Sequence, residues 1–443
     1  MSSVPRQPVA AGAPAVDPAI DPALERLTVR RYLLGMTAQG VWWAGYVLLP
    51  FVLAKSLAAP GWMVTAAATL ETSGMLLALY WGQLLQQGGR RRWLVRAGLG
   101  GRAVLLLALL VRGPWSFLAL LVPVHFFASL VYPAQNAILQ ANIRADRHGR
   151  VFGRGALIQH LTAAATSVAV GHVLRGDPSL YRLVYPVIGV VGFGYPWLLA
   201  RLPRPAGDTT PDPDDVFSVP RLPLGPVRWR RLAGALAAPL REAAAVFRRD
   251  RPFLWYEANF MVYGLAYMML VPVVPLFFTR ELHLRYDEIA NARVLIASLG
   301  VALLGPTAGR LMDRIDPVRL SAAGFAVLSL YPLSLAAGAV LGVTAPATTA
   351  YLAFALYALG MAAINVTWNV GSISFAPPGR GGYYQGIHVA MVGVRGVFGP
   401  AIGFVVQRLF GYRQVFLAAA ALFLLAAGGS WALGRWRGTD QFR

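Results

Sequence analysis

Twelve runs of about twenty mostly apolar residues, separated by short arginine-bearing turns, constrain this chain more than any other feature. They fall at roughly 32–55, 62–84, 93–112, 115–139, 155–174, 183–200, 253–279, 289–312, 320–342, 348–372, 386–407 and 413–434. Each is long enough to cross about 30 Å of hydrocarbon as an α-helix. None alternates with period two, so a β-barrel is excluded. The pattern predicts an all-α polytopic membrane protein.

Composition agrees. Of 443 residues, 57% are hydrophobic and 13% charged, and the mean hydropathy is +0.54, too apolar for a soluble protein of this size. The net charge of +21 would suit a nucleic-acid partner if it formed one basic face. It lies instead in turns between apolar runs, where it marks topology, and the bilayer is the expected partner. Arg90, Arg91 and Arg92 follow the second run, and Arg144, Arg147, Arg150 and Arg154 lie between the fourth and fifth. An arginine-rich linker follows the sixth. By the positive-inside rule these connections and both termini are cytoplasmic, which predicts an integral inner-membrane protein. There is no cysteine, so disulfides and thiolate metal sites are excluded, and no cofactor or metal is expected.

The expected organisation is a disordered cytoplasmic tail over 1–31, a six-helix bundle over 32–200, a cytoplasmic linker over 201–252, a second six-helix bundle over 253–435 and a tail over 436–443. The first thirty residues lack the apolar core of a signal peptide. An internal repeat supports the six-plus-six division. Gly82 and Gly309 are 227 residues apart. Pro50 and Pro275 are 225 apart, each followed seven residues later by a leucine, Leu57 and Leu282. Asn136 precedes Arg147 by eleven residues and Asn369 precedes Arg380 by the same interval.

The repeated glycines open related stretches, "GQLLQQGGRRR" from Gly82 and "GRLMDRIDPVR" from Gly309, between the second and third run of each half. These resemble the turn between helices 2 and 3 of the major facilitator superfamily, Gly-x-Leu-x-Asp-Arg-x-Gly-Arg-Arg, and its echo between helices 8 and 9. The first copy keeps Gly82, Leu84, Gly89, Arg90 and Arg91 but has Gln86 at the acidic position. The second keeps Gly309, Leu311, Asp313 and Arg314 and departs at Asp316 and Pro317. A glycine permits close helix approach, a carboxylate can accept from a neighbouring helix end, and arginines stay at the anionic leaflet. Together they would latch the halves. On helix 11, "GVRGVFGPAIG" looks like a glycine-proline pattern that antiporters of the superfamily carry on helix 5, and close packing of small residues explains it equally well.

Charges near the middle of a spanning helix cost roughly 2.5 to 3.5 kcal/mol and therefore face the bundle interior or water. Glu71 on helix 2, Arg102 on helix 3 and Arg395 on helix 11 are the mid-depth examples. The resemblance sets helices 2 and 11 against one another, so Glu71 and Arg395 are candidates to pair in one state, separate in another and so couple a proton; the alternatives are a permanent structural pair or two unrelated polar contacts. His125, mid-depth on helix 4, is a candidate relay, while Glu257 on helix 7 is expected at the interface. The resemblance also makes helices 1, 4, 7 and 10 the cavity lining. They supply Gln39, Trp43, Tyr46, Tyr132, Gln135, Tyr263, Tyr267, Tyr357, Asn365 and Trp368, aromatic walls with a few amides that suit an amphipathic ligand.

No phosphate-binding loop or His-Glu-x-x-His pair occurs, so an enzyme is not expected. The resemblance implies a monomeric secondary transporter working by alternating access, with proton-coupled export of a small amphipathic compound as the first expectation. Uptake or exchange of an anionic metabolite through Arg395, and a non-transporting sensor or assembly protein acting through the linker, are the alternatives.

Overall fold

The computed structural model describes residues 20–77, 81, 89–203, 241, 243–312, 314–339, 345–377 and 381–440. They form helices, and there is no strand among the described residues. In chain order the helices are α1 (Pro22–Ser56), α2 (Gly61–Ser73), α3 (Arg90–Leu110), α4 (Pro114–Asn142), α5 (Ala145–Gly176), α6 (Tyr181–Ala200), α7 (Arg251–Arg280), α8 (Tyr286–Met312), α9 (Pro317–Gly338), α10 (Pro346–Val370), α11 (Gly381–Phe410) and α12 (Tyr412–Asp440). Eleven are long and apolar enough to cross a membrane. The remaining one, α2, continues as a tighter 3-10 turn through Gly74–Leu77, beyond which 78–80 and 82–84 of the predicted run lie outside the described residues.

The helix ends differ from the expected boundaries for local reasons. Residues 22–31, expected in a disordered tail, are the first turns of α1. Asp21 accepts the Ala23 amide at 2.8 Å and Pro22 supplies a preset φ, and together they start the helix early. Its Glu25 is buried and faces Arg147 at 3.1 Å and Arg144 at 3.6 Å, which ties α1 to the start of α5. Similarly α12 runs into the expected tail as far as Asp440. Residues 1–19, 204–240 and 441–443 lie outside the described residues; of the expected linker, 243–249 are helical. Asp316, which departs from the family pattern, caps α9 by accepting the Val318 amide at 2.8 Å, with Pro317 at the first helical position.

The repeat is visible in packing. In the first half α1 packs on α5 and α6, and in the second α7 packs on α11 and α12; likewise α3 lies on α6 and α4, and α9 on α12 and α10. The halves meet through α2 against α11 and, reciprocally, α5 against α8. Adding 225 to a residue number maps the end of α1 onto the end of α7 down to single hydrogen bonds. Leu57 N donates to Val52 O and Ala59 N to Leu53 O, while Leu282 N donates to Phe277 O and Leu284 N to Phe278 O. Ala58 and His283, again 225 apart, both adopt a left-handed backbone, with φ of 46° and 49°.

The glycines of "GVRGVFGPAIG" set how closely α11 is approached. A Cβ on Gly403 would lie 2.2 Å from the Met269 carbonyl oxygen of α7, and one on Gly396 2.6 Å from the Thr72 backbone of α2. Small-residue packing thus accounts for the stretch. We expect Gly403→Val to cost about 1–3 kcal/mol through overpacking against a backbone that cannot give way. Gly428→Ala on α12, where a Cβ would meet nothing within 4 Å, should be neutral or slightly stabilising. Thermal unfolding in detergent checks both, and equal melting temperatures would contradict the close contact.

Candidate functional site

Between the halves lies a cavity of about 250 Å3. Gln39, Trp43 and Tyr46 of α1 form one wall, with Tyr132 of α4 and Arg102 of α3. Tyr267 of α7, Tyr331 of α9, and Phe354 and Tyr357 of α10 form the other. Glu71 of α2 and Arg293 of α8 complete the ring. Pro50, Phe51, Val274 and Pro275 line it from α1 and α7. At the end of the bundle opposite the termini, the described residues join the halves firmly. Ser56 and Tyr286 share a hydroxyl hydrogen bond at 2.5 Å, Arg280 donates to the Ala59 carbonyl at 2.7 Å, and Arg175 pairs with Asp287 at 3.1 Å. At mid-depth the Thr72 hydroxyl donates to the Gly396 carbonyl at 2.8 Å.

The three charges in the cavity wall are held differently. Arg102 donates to the Gly192 carbonyl at 2.8 Å and to Gln39 Oε1 at 2.6 Å, and lies over the Trp42 ring at 5.0 Å. Two charge-assisted hydrogen bonds of about 1.5–3 kcal/mol each offset the cost of its burial. Gln39, oriented by Arg102, turns its amide towards the Tyr132 hydroxyl at 3.2 Å. Arg293 has no such support among the described residues. Its guanidinium lies over the Phe354 and Tyr357 rings at 5.4 and 5.7 Å and makes no hydrogen bond there. Cation–π contacts of about 0.5–2 kcal/mol leave part of its desolvation uncompensated. It sits in a π-helical turn, Asn291–Ile296, an irregularity that often marks functional positions. Glu71 likewise makes no hydrogen bond or ion pair within 4 Å to a described residue, and it shares the cavity lining with Arg293.

Glu71 and Arg395 are apart in this arrangement, which corrects the expectation of a permanent pair. Helices 2 and 11 do meet, but Arg395 points into the second half, where it is buried, donates through Nη1 to the Phe260 carbonyl and lies 5.6 Å from the Tyr263 ring. Gly264 of α7 makes this possible, because any Cβ there would collide with the guanidinium. Arg395 therefore does not line the cavity. Glu257, expected at the interface, is 2% exposed and accepts from or shares a proton with His388 Nδ1 at 2.8 Å.

Of the other candidates, Gln39, Trp43, Tyr46, Tyr132, Tyr267 and Tyr357 line the cavity. His125 lies behind it, its Nδ1 2.9 Å from the Tyr46 hydroxyl. Gln135 bonds the Tyr195 hydroxyl within the first half, Tyr263 stacks on Phe325, and Trp368 packs 5.6 Å from His388, so these three serve packing rather than the lining. Asn365 is exposed and outside the lining. Within the turn motifs, Gly82, Gln86 and Asp313 lie outside the described residues. Gly89 adopts a left-handed φ of 74° just before α3, and Arg90 donates to the Leu202 carbonyl at 3.2 Å. Gly309 has open space where a Cβ would stand, so the close approach expected there is absent among the described residues, and Arg314 is exposed in the following turn. Arg293 was missed by the sequence reading. Its position near the start of an apolar run resembles an end anchor, and nothing in the sequence reveals the π turn that aims it inward.

A sequence profile described as the Major Facilitator Superfamily matches residues 32–386 and 258–439. The multidrug resistance protein MdtG of Dickeya zeae is 27% identical over 360 residues, covering 80% of this chain and 79% of that protein; its counterpart in Serratia proteamaculans is 25% identical over 364. Among solved structures, a peptide transporter POT in complex with alafosfalin superposes with a TM-score of 0.68 at 13% identity, covering 93% of this chain and 95% of the other. The nucleoside transporter NupG gives 0.62 at 14% identity, covering 92% and 98%. With two equivalent six-helix halves around a central cavity, and that profile across most of its length, this chain belongs to the major facilitator superfamily of membrane transporters.

Proposed function

We propose that the protein is a proton-coupled exporter of small amphipathic compounds, working by alternating access in a bacterial inner membrane with both termini in the cytoplasm. The observation that carries this reading is Glu71: an ionisable carboxylate in the cavity wall, among aromatic rings, with no hydrogen bond or ion pair to a described residue. Such a group can hold either a proton or the polar part of a ligand but not both, and that competition is enough to couple their movements. The aromatic faces of Trp43, Tyr46, Tyr267 and Tyr357 supply apolar contact area without strict shape demands. The multidrug name of the relatives supports the same class of ligand.

Arg293 replaces Arg395 in this reading as the positive partner across the cavity. When Glu71 is ionised and no ligand is present, attraction to Arg293 draws the walls together; a proton or a ligand on Glu71 relaxes it. The arrangement described here, joined at the end remote from the termini, is then the state open towards the cytoplasm. Arg293 also supports a second reading, exchange of an anionic metabolite, since it is the cavity cation without a hydrogen bond among the described residues. The latch proposed for the turn motifs and any sensor role of the linker fall mainly on residues outside those described.

In reconstituted vesicles, Glu71→Gln should reduce accumulation of an amphipathic dye driven by a pH gradient at least about tenfold while downhill flux persists. Wild-type accumulation in that variant would end the coupling role. If Arg293→Gln instead abolishes exchange of organic anions and leaves dye export intact, the second reading is correct.

Alternating access has its own test. A Cβ on Gly171 of α5 would lie 2.8 Å from the Ala290 Cβ of α8, across the two halves. In a chain with no native cysteine, Gly171→Cys combined with Ala290→Cys should crosslink on oxidation after a small adjustment. Transport should stop on oxidation and return on reduction; transport unaffected by complete crosslinking would show that these ends need not part.

A further inference from the structure

Beyond the cavity, the second half contains a buried polar cluster that the reading above does not use. Glu257 of α7 and His388 of α11 are 2% and 1% exposed and lie 2.8 Å apart, Oε1 to Nδ1. Three atoms of the cluster are buried without a hydrogen-bond partner among the described residues: Glu257 Oε2, His388 Nε2 and Arg395 Nε. Each such atom costs about 1–3 kcal/mol, which an added proton or a hydrogen-bond partner would lower. Tyr256 and Phe260 of α7 and Trp368 of α10 enclose the imidazole with ring centroids 5.9, 4.9 and 5.6 Å away. The charged and titratable groups facing the pair are Arg395 on α11 and Tyr256 on its own helix, α7.

We propose that the Glu257–His388 pair is a second proton-binding site, separate from Glu71, whose occupancy is communicated to the cavity along α11. With Glu257 ionised, His388 neutral and its Nδ1–H donated to the carboxylate, the cluster's charge is balanced by Arg395, and the unpartnered Nε2 presents a lone pair. An incoming proton bonds there, or to Glu257 Oε2, and leaves a net positive charge in an enclosed site. That charge must be relieved by movement of α7 against α11. The path to the cavity is short. Arg395 lies two helical turns from His388 on the same face of α11. The next residue, Gly396, accepts the Thr72 hydroxyl across the interface between the halves, and Thr72 follows Glu71.

This inference rests in part on the transport reading, and its test separates the two. The six histidines can be followed by NMR of protein labelled at the imidazole nitrogens in nanodiscs, with His388→Gln identifying one signal. That signal should change reversibly as the proton is taken up and released, and its response should differ in Glu257→Gln. A signal that does not titrate, or one unmoved by loss of the carboxylate, would show a purely structural pair. If His388→Gln does not fold, Glu257→Gln alone decides by whether any histidine signal moves. In vesicles, proton movement accompanying export of an amphipathic dye should fall about twofold in Glu257→Gln, because one of two proton sites is lost. Unchanged stoichiometry would overturn the coupling part. A wild type that moves no dye would refute the export reading and leave the titration result standing.

Discussion

A guanidinium held inside a bilayer must replace its lost water with carbonyl oxygens, aromatic faces or a carboxylate, and much of this molecule's interior is arranged around three that do so. Arg102 is held by a backbone carbonyl and Gln39, and in turn orients that side chain. Arg395 is held by the Phe260 carbonyl and fits only because Gly264 has no side chain. Arg293 has rings on one side and the cavity on the other. Two arginines are therefore structural anchors within a half, and the third remains available to something that enters.

The carboxylates divide in the same way. Glu25 is clamped by arginines and fastens α1 to α5. Glu257 is confined beside His388, and Glu71 stands in the cavity. Among the described residues, one bilayer-buried acid has a single protein partner and the other has none. The first faces the interior of its own half, whereas the second faces the space between halves.

The fold was legible from the run lengths and the 225-residue repeat, because hydrocarbon thickness and duplicated backbone both leave regular spacing in a sequence. Six of the cavity residues were legible too, since aromatic and amide side chains on α1, α4, α7 and α10 can reach the middle. The charge partners were not. Arg395 and Glu71 lie on helices that touch, but which side of α11 an arginine takes depends on Gly264 of another helix. Arg293 depends on a π turn, which adds a residue to the helix and rotates everything beyond it. Such local changes in winding have no compositional signature, so helix-level symmetry was readable while side-chain direction was not.

The matched turns after α1 and α7 have one more consequence. The same 225-residue shift that superposes those turns carries Glu71 to within one helical turn of Arg293, on the corresponding helices α2 and α8. The scaffold is thus nearly symmetric while the residues at related places are of opposite kind, so an ionised Glu71 would set an electric field across the cavity from Arg293. A symmetric cavity would accept a dipolar guest in either of two orientations. With Glu71 ionised, the two orientations would differ in energy before any contact is made.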